Sequence, residues 1–157
     1  MNRLELTIRT LAIAMALIVP IICILTQGLL KSYSQYWDTP MQPLFILTNI
    51  ITAYYFFEYD RWKPSACFLL LLTAFSVSSF GTIHNVLAIL FFLTSFIALI
   101  KSNHFSWTVI PYTAALVMLS YNMMIAETLA INVLALYHGL ILYKIKRINK
   151  QKQVNYK

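Results

Sequence analysis

Three ionisable side chains stand out in a sequence that is otherwise poor in charge: Asp38, His84 and Glu127. Carboxylate and imidazole groups act as general acids and bases, and they are also common ligands of metal ions. If the fold brings the three together, they could transfer protons or hold a hydrolytic metal ion. They are therefore the candidate catalytic residues of the chain.

The spacing of the metal-binding residue types argues against a metal site. The three histidines, His84, His104 and His138, are widely separated, and no H-x-x-x-H, H-E-x-x-H or C-x-x-C pattern occurs. The three glycines form no phosphate-binding loop. The sequence predicts no metal and no cofactor.

Other polar residues fall on the same, outer side of the predicted membrane topology as the candidate catalytic residues, and we predict that they share an outward-facing polar pocket. They are Ser34, Tyr36, Trp37, Thr39, Asn49, Asn85 and Asn122. Each also has an ordinary structural explanation: Glu127 as an acid at a helix start, the asparagines as bonds between helices, Tyr36 and Trp37 as interface anchors. His138, among apolar neighbours, is interpreted as a packing residue.

The composition determines the class of protein that must position these residues. Hydrophobic residues make up 60% of the 157 residues, charged residues 11%, and the mean hydropathy is +0.71. Soluble domains carry about 25% charged residues, and long apolar runs are typical of membrane spans. The sequence predicts an all-α polytopic membrane protein, located in the cell (inner) membrane of a bacterium.

The apolar segments predict a six-transmembrane-helix bundle in residues 1–145, followed by a basic cytoplasmic tail in residues 146–157. The predicted spans cover residues 8–30, 41–58, 64–80, 83–100, 106–124 and 127–144. With both termini on the cytoplasmic side, eleven of the twelve Lys and Arg residues lie inside, and only Lys31 lies outside. This distribution follows the positive-inside rule.

Two helix starts can be predicted from local motifs. Thr39, Pro40 and Gln42 have the spacing of a capping box with proline at the first helical position, which predicts that they begin the second span. Thr82 is predicted to cap the fourth span.

One stretch of the chain resembles a known family. The motif Ser34-x-Tyr36-Trp37-x-Thr39-Pro40-Met41, then Phe45, and then His84-x-x-x-Ala88-x-x-Phe91-Phe92 resembles small bacterial six-span proteins of unknown function. Those proteins are distantly similar to the DRAM-like (autophagy modulator) family. Members often carry an Arg-Asp pair after the Met, where this chain has Gln42-Pro43. The resemblance implies a six-helix bundle and no established activity.

Three functions follow from these observations. The leading one is a non-enzymatic membrane protein that binds lipid or partner proteins, including as a small subunit of a larger membrane complex. The alternatives are a small intramembrane enzyme acting on lipid head groups and a small transporter. The expected partners are membrane lipids and either other membrane proteins or further copies of the chain, and not nucleic acid.

Overall fold

The computed structural model describes residues 3–102 and 104–155, with side chains described for residues 4–102, 104–148 and 151. Helix accounts for 86% of the structure, and the described residues contain no strand. Three helices are long and apolar enough to cross a membrane: Leu4–Gln27, Val77–Ile100 and Met123–Ile148. The prediction of an all-helical fold is confirmed, and the three long apolar helices are compatible with a membrane protein.

Six α-helices and three 3-10 helices make up the described chain. The α-helices are α1 (Arg3–Gln27), α2 (Gln42–Phe57), α3 (Lys63–Ala74), α4 (Val77–Ile100), α5 (Val109–Met118) and α6 (Met123–Asn155). The 3-10 helices are Tyr33–Asp38, Asp60–Trp62 and Ser106–Thr108. The last two residues of the predicted tail, 156–157, lie outside the described residues, and α6 continues through the tail to Asn155.

Both predicted capping motifs are wrong in detail. Helix α4 begins at Val77, because Ser76 has extended backbone and its Oγ accepts the N–H of Ser79 at 3.1 Å. Thr82 therefore lies inside the helix, just after a kink at Phe80, where φ is −134° and ψ is 36°.

At the start of α2, the N-cap is Met41, without a side-chain capping bond, and Pro43 rather than Pro40 lies in the first turn. The hydroxyl of Thr39 donates to the carbonyl of Tyr36 at 2.8 Å and accepts the Met41 N–H at 3.2 Å. Thr39 thus closes the preceding 3-10 helix instead of capping α2.

Hydrogen bonds made by the segments that connect the helices show which of these segments lie at the same end of the bundle. At the first, which we call the loop end, Tyr33 and Ser34 contact Glu127 near the start of α6, and Asp38 contacts Ser78 near the start of α4. The loop end therefore gathers the α1–α2 connection, the α3–α4 break and the α5–α6 turn.

The opposite end, which we call the aromatic end, gathers the remaining connections. Arg9 of α1 donates to the hydroxyl of Tyr59 between α2 and α3, and Ser102 after α4 lies 2.5 Å from the Tyr137 hydroxyl of α6. Successive helices consequently run in opposite directions, so that α2 and α6 both run from the loop end to the aromatic end.

The exterior of the bundle is apolar. Leucine, isoleucine and valine side chains are exposed along most helices, reaching 80% exposure at Leu25 and 74% at Ile110. A soluble monomer rarely exposes contiguous apolar surface on this scale, whereas a protein surrounded by lipid must. The surface therefore agrees with the class indicated by the composition.

Candidate functional site

The carboxylate of Glu127 holds the loop end together. It lies in the first turns of α6, is 4% exposed, and accepts the N–H of Tyr33 at 2.5 Å and the hydroxyl of Ser34 at 3.1 Å. A buried carboxylate costs free energy unless donors surround it, and here the loop supplies them. Glu127 thus fixes the 3-10 helix Tyr33–Asp38 over the end of the bundle.

Two further bonds fix the same 3-10 helix. The buried Tyr36 hydroxyl donates to the carbonyl of Gly28 at 2.6 Å, and the exposed Asp38 carboxylate accepts the Ser78 hydroxyl at 2.7 Å. Burial raises the pKa of the Tyr33 and Tyr36 hydroxyls above their usual range, so both remain protonated. The segment is therefore anchored to α1, α4 and α6.

The three candidate catalytic residues have separate partners. His84 is buried, and its Nδ1 lies 2.6 Å from the carbonyl oxygen of Phe75, at the α3–α4 break. Asp38 pairs with Ser78, and Glu127 with the Tyr33–Ser34 segment. Within the described part of the chain, no group of three His, Cys, Asp or Glu side chains could hold a metal ion.

The predicted pocket residues are divided among several roles. Ser34 and Asn49 line an interior cavity, while Tyr36 and Trp37 pack their rings edge-on against Tyr33 and Phe45 respectively. Asn122 is exposed, and its side-chain oxygen accepts the N–H of Ile125 at 3.1 Å, as a cap of α6. Asn85 is exposed on α4, and Thr39 closes the 3-10 helix as described.

The interior cavity has a volume of about 80 Å³ and extends along the axis of the bundle. On α6 its wall runs from Glu127 through Ile131 and Ala135 to His138. These residues span about three helical turns, or roughly 16 Å at ~1.5 Å per residue. The cavity therefore reaches from the loop end to the aromatic end.

Small side chains on α1 and α6 create this space. Ala12 and Ala16 of α1 and Ala135 of α6 all line the cavity, where a larger residue would fill it. The remaining wall is mostly aliphatic and aromatic, with Phe91 and Phe92 contributed by α4. The cavity is thus a narrow channel with mainly apolar walls.

One wall carries a line of polar side chains. Thr48, Asn49, Thr52 and Tyr55 recur on the face of α2 that lines the cavity. Thr48 is satisfied within its own helix, because its hydroxyl donates to the carbonyl of Leu44 at 2.7 Å. The Thr52 hydroxyl is buried and has no partner among the described residues.

His138 lines the cavity at the aromatic end. It is 2% exposed, and its Nδ1 lies 2.9 Å from the Tyr55 hydroxyl, whereas its Nε2 has no partner among the residues that the structure describes. The interpretation of His138 as a packing residue gave no role to Nε2. The available signal was the spacing of Glu127 and His138, which puts both on one face of α6.

A buried cation lies behind this histidine. Arg9 is 8% exposed, pairs with Glu5, donates to the Tyr59 hydroxyl, and lies 4.9 Å from the centre of the Tyr59 ring. Charged groups at such depth are costly and are found where partners compensate them. Arg9 and Tyr59 therefore form a polar network near the aromatic end of the cavity without lining it.

Comparison of the chain with protein-family models, with curated proteins and with solved structures found no match.

Proposed function

We propose that this protein is a multi-pass membrane protein that binds one hydrocarbon chain of a lipid-like molecule in its interior cavity, without chemical conversion. The single observation that carries the proposal is the cavity itself, lined by Glu127, Tyr33 and Ser34 at one end and by His138 at the other. It runs through a bundle in which three helices are long and apolar enough to cross a membrane.

The dimensions of the cavity suit an unbranched chain. A length of roughly 16 Å equals about half of a ~30 Å hydrocarbon core, which is the depth of one leaflet. A volume of 80 Å³ would hold only a single file of waters, since each needs at least ~10–15 Å³ and several polar partners. Because most of the wall is apolar, a hydrocarbon chain is the better occupant.

Packing contacts between the chain and the cavity walls drive the proposed binding. Transfer of a chain from bilayer to protein gains little hydrophobic free energy, because lipid tails are already apolar. An empty channel, however, deprives its lining atoms of dispersion contacts, and a chain of matching width restores them. Binding should therefore depend strongly on the fit between the chain and the walls.

The proposed topology has six spans, with both termini on the cytoplasmic side. It is supported by the alternating direction of the helices. It also agrees with the sequence, since six spans would put eleven of the twelve basic residues on one side. The 12-residue α3 and 10-residue α5 are shorter than the ~20 residues of a typical span. Local thinning of the bilayer would accommodate them.

Labelling of single cysteines tests this topology. Cysteines placed at Lys31 and Ser120 should react with a membrane-impermeant maleimide in intact cells, in a background without Cys23 and Cys67. Cysteines at Lys101 and Lys146 should react only after permeabilisation. Reaction of Lys101→Cys in intact cells would contradict the six-span arrangement.

The enzymatic alternative has less support. Its three candidate residues have separate partners, and of the three only Glu127 contributes to the cavity wall. Both oxygens of that carboxylate already accept hydrogen bonds from the loop. A binding role requires no further alignment of these groups.

Substitution of a cavity alanine tests the binding proposal. Ala135 is 4% exposed and lines the cavity, so Ala135→Leu should fill part of the channel and reduce the binding of tritiated tetradecanol in phosphatidylcholine nanodiscs by at least tenfold. Ala114 is exposed on α5, and Ala114→Leu adds the same atoms outside the cavity as a matched control. Equal binding by both variants would refute the proposal.

A further inference from the structure

The ring of His138 is held in a fixed orientation by aromatic neighbours. The rings of Tyr55, Phe56, Trp62 and Tyr137 have their centres 4.6 to 5.0 Å from the imidazole centre. Since the ring is also 2% exposed, neither of its nitrogen atoms can reach bulk water without displacing a neighbour. Its hydrogen-bonding capacity must therefore be used inside the bundle.

Only one of the two ring nitrogens is used by the protein. Tyr55 occupies Nδ1 at 2.9 Å, and Nε2 is buried without a partner among the described residues. Buried polar atoms in proteins are nearly always paired, so an unpaired one calls for a specific explanation. His138 also lines the cavity, so a molecule there that displaces a neighbouring side chain slightly can supply the missing partner.

The hydrogen bond between the Tyr55 hydroxyl and Nδ1 of His138 can form in either tautomer of a neutral imidazole. In one of the two tautomers, the Tyr55 hydroxyl donates to Nδ1. In a neutral imidazole Nε2 then carries the hydrogen and acts as a donor.

We propose that the chain bound in the cavity ends in a neutral oxygen, such as that of an alcohol or an ester carbonyl, which accepts a hydrogen bond from Nε2–H of His138. This inference rests on the proposed function and defines its ligand class and orientation. The oxygen lies at the aromatic end, and the chain extends past Ala135 towards Glu127 and Ser34 at the loop end.

A carboxylate is a poorer terminal group at this position. The rings around His138 and the apolar walls would desolvate it, and burying an ion is unfavourable unless a counter-ion contacts it. The nearby cation, Arg9, is already paired with Glu5. The site therefore favours long-chain alcohols and esters over the corresponding acids.

Competition between three test ligands tests this assignment. Tetradecane, tetradecanol and methyl myristate have similar chains, but tetradecane has no oxygen and methyl myristate can only accept hydrogen bonds. Each competes with tritiated tetradecanol for the protein in phosphatidylcholine nanodiscs. One neutral hydrogen bond corresponds to about three- to tenfold in affinity, so we expect both oxygen-containing ligands to outcompete tetradecane by this factor.

Substitution of the histidine should remove the preference and leave chain binding intact. His138→Phe keeps a ring of similar shape without nitrogen, and it should bring the affinities for tetradecanol and methyl myristate down to that for tetradecane. His138→Gln retains an N–H donor and should keep part of the preference. It also provides a second test if His138→Phe does not fold, as judged by far-ultraviolet circular dichroism.

A second histidine provides the matched control. His84 is 1% exposed and also has an Nε2 without a partner, but it does not contribute to the described wall of the cavity. His84→Phe should therefore leave the preference unchanged. Loss of the preference in this variant would contradict the assignment to His138.

The possible failures are distinguishable. If all three ligands bind the unaltered protein equally, the inference about His138 is wrong while chain binding stands. If tetradecanol is preferred but methyl myristate behaves like tetradecane, Nε2 is not a donor and the inference is overturned. If none of the three binds, the proposed function itself fails.

Discussion

Replacement of Glu127 by alanine should loosen the loop end of the bundle. The carboxylate accepts the N–H of Tyr33 at 2.5 Å and the hydroxyl of Ser34 at 3.1 Å, and it is 4% exposed. Hydrogen bonds to charged groups are worth about 1.5–3 kcal/mol each, and the Tyr33 N–H would be left without an acceptor. Removal of the buried charge itself recovers part of this free energy.

The net effect should therefore be a loss of about 2–4 kcal/mol in the free energy of unfolding. Glu127→Gln keeps one acceptor oxygen and should lose about half as much, roughly 1–2 kcal/mol. Glu58 is an exposed glutamate near the aromatic end, and Glu58→Ala should stay within about 0.5 kcal/mol of the unaltered protein.

Unfolding by sodium dodecyl sulfate in mixed micelles, followed by circular dichroism, gives the free-energy differences. Hydrogen exchange supplies the local measurement: the amide of Tyr33 should exchange faster in Glu127→Ala, and amides at the aromatic end should not. If Glu127→Ala is no less stable than Glu58→Ala and the Tyr33 amide stays protected, the carboxylate does not hold this segment and the reasoning is refuted.

Two further substitutions test the local structure of the loop end. Ser76→Ala should destabilise the protein by about 1 kcal/mol, because it removes the capping bond from the Ser79 N–H to the Ser76 hydroxyl at the start of α4. Thr82→Ala, inside the helix, should have little effect. If Thr82→Ala were the more destabilising of the two in the same unfolding assay, the observed helix start would be contradicted. Tyr36→Phe removes the hydrogen bond to the carbonyl of Gly28 and should lower the free energy of unfolding by about 1–3 kcal/mol, measured in the same way. A decrease below about 0.5 kcal/mol, the level of most surface substitutions, would show that this bond does not anchor the 3-10 helix.

The helical fold and its long apolar helices could be predicted because they depend on composition and on the length of apolar runs. The individual helix caps could not be predicted. Thr39 and Thr82 both have residue types and spacings typical of a cap, but capping requires a residue whose backbone has left the helix. Only the three-dimensional structure shows that Thr39 closes the preceding turn and that Ser76 has the extended backbone.

The candidate site was partly accessible from the sequence. Glu127 and Ser34 could be assigned to one pocket because topology puts their segments at the same end, and the structure places them 3.1 Å apart. The spacing of Glu127 and His138 puts both on one face of α6, but the hydrogen bonds of the His138 ring could not be predicted. Its unpartnered nitrogen depends on Tyr55, which belongs to another helix far away in sequence.

The most direct test of chain binding is to locate a bound chain by the anomalous scattering of a heavy atom. Crystals grown with ω-bromotetradecanol should show one bromine peak near Ser34 and Glu127 at the loop end, with electron density for the chain continuing past Ala135 to His138. Bromine peaks only on the exposed outer faces of the helices, with an empty cavity, would contradict the account.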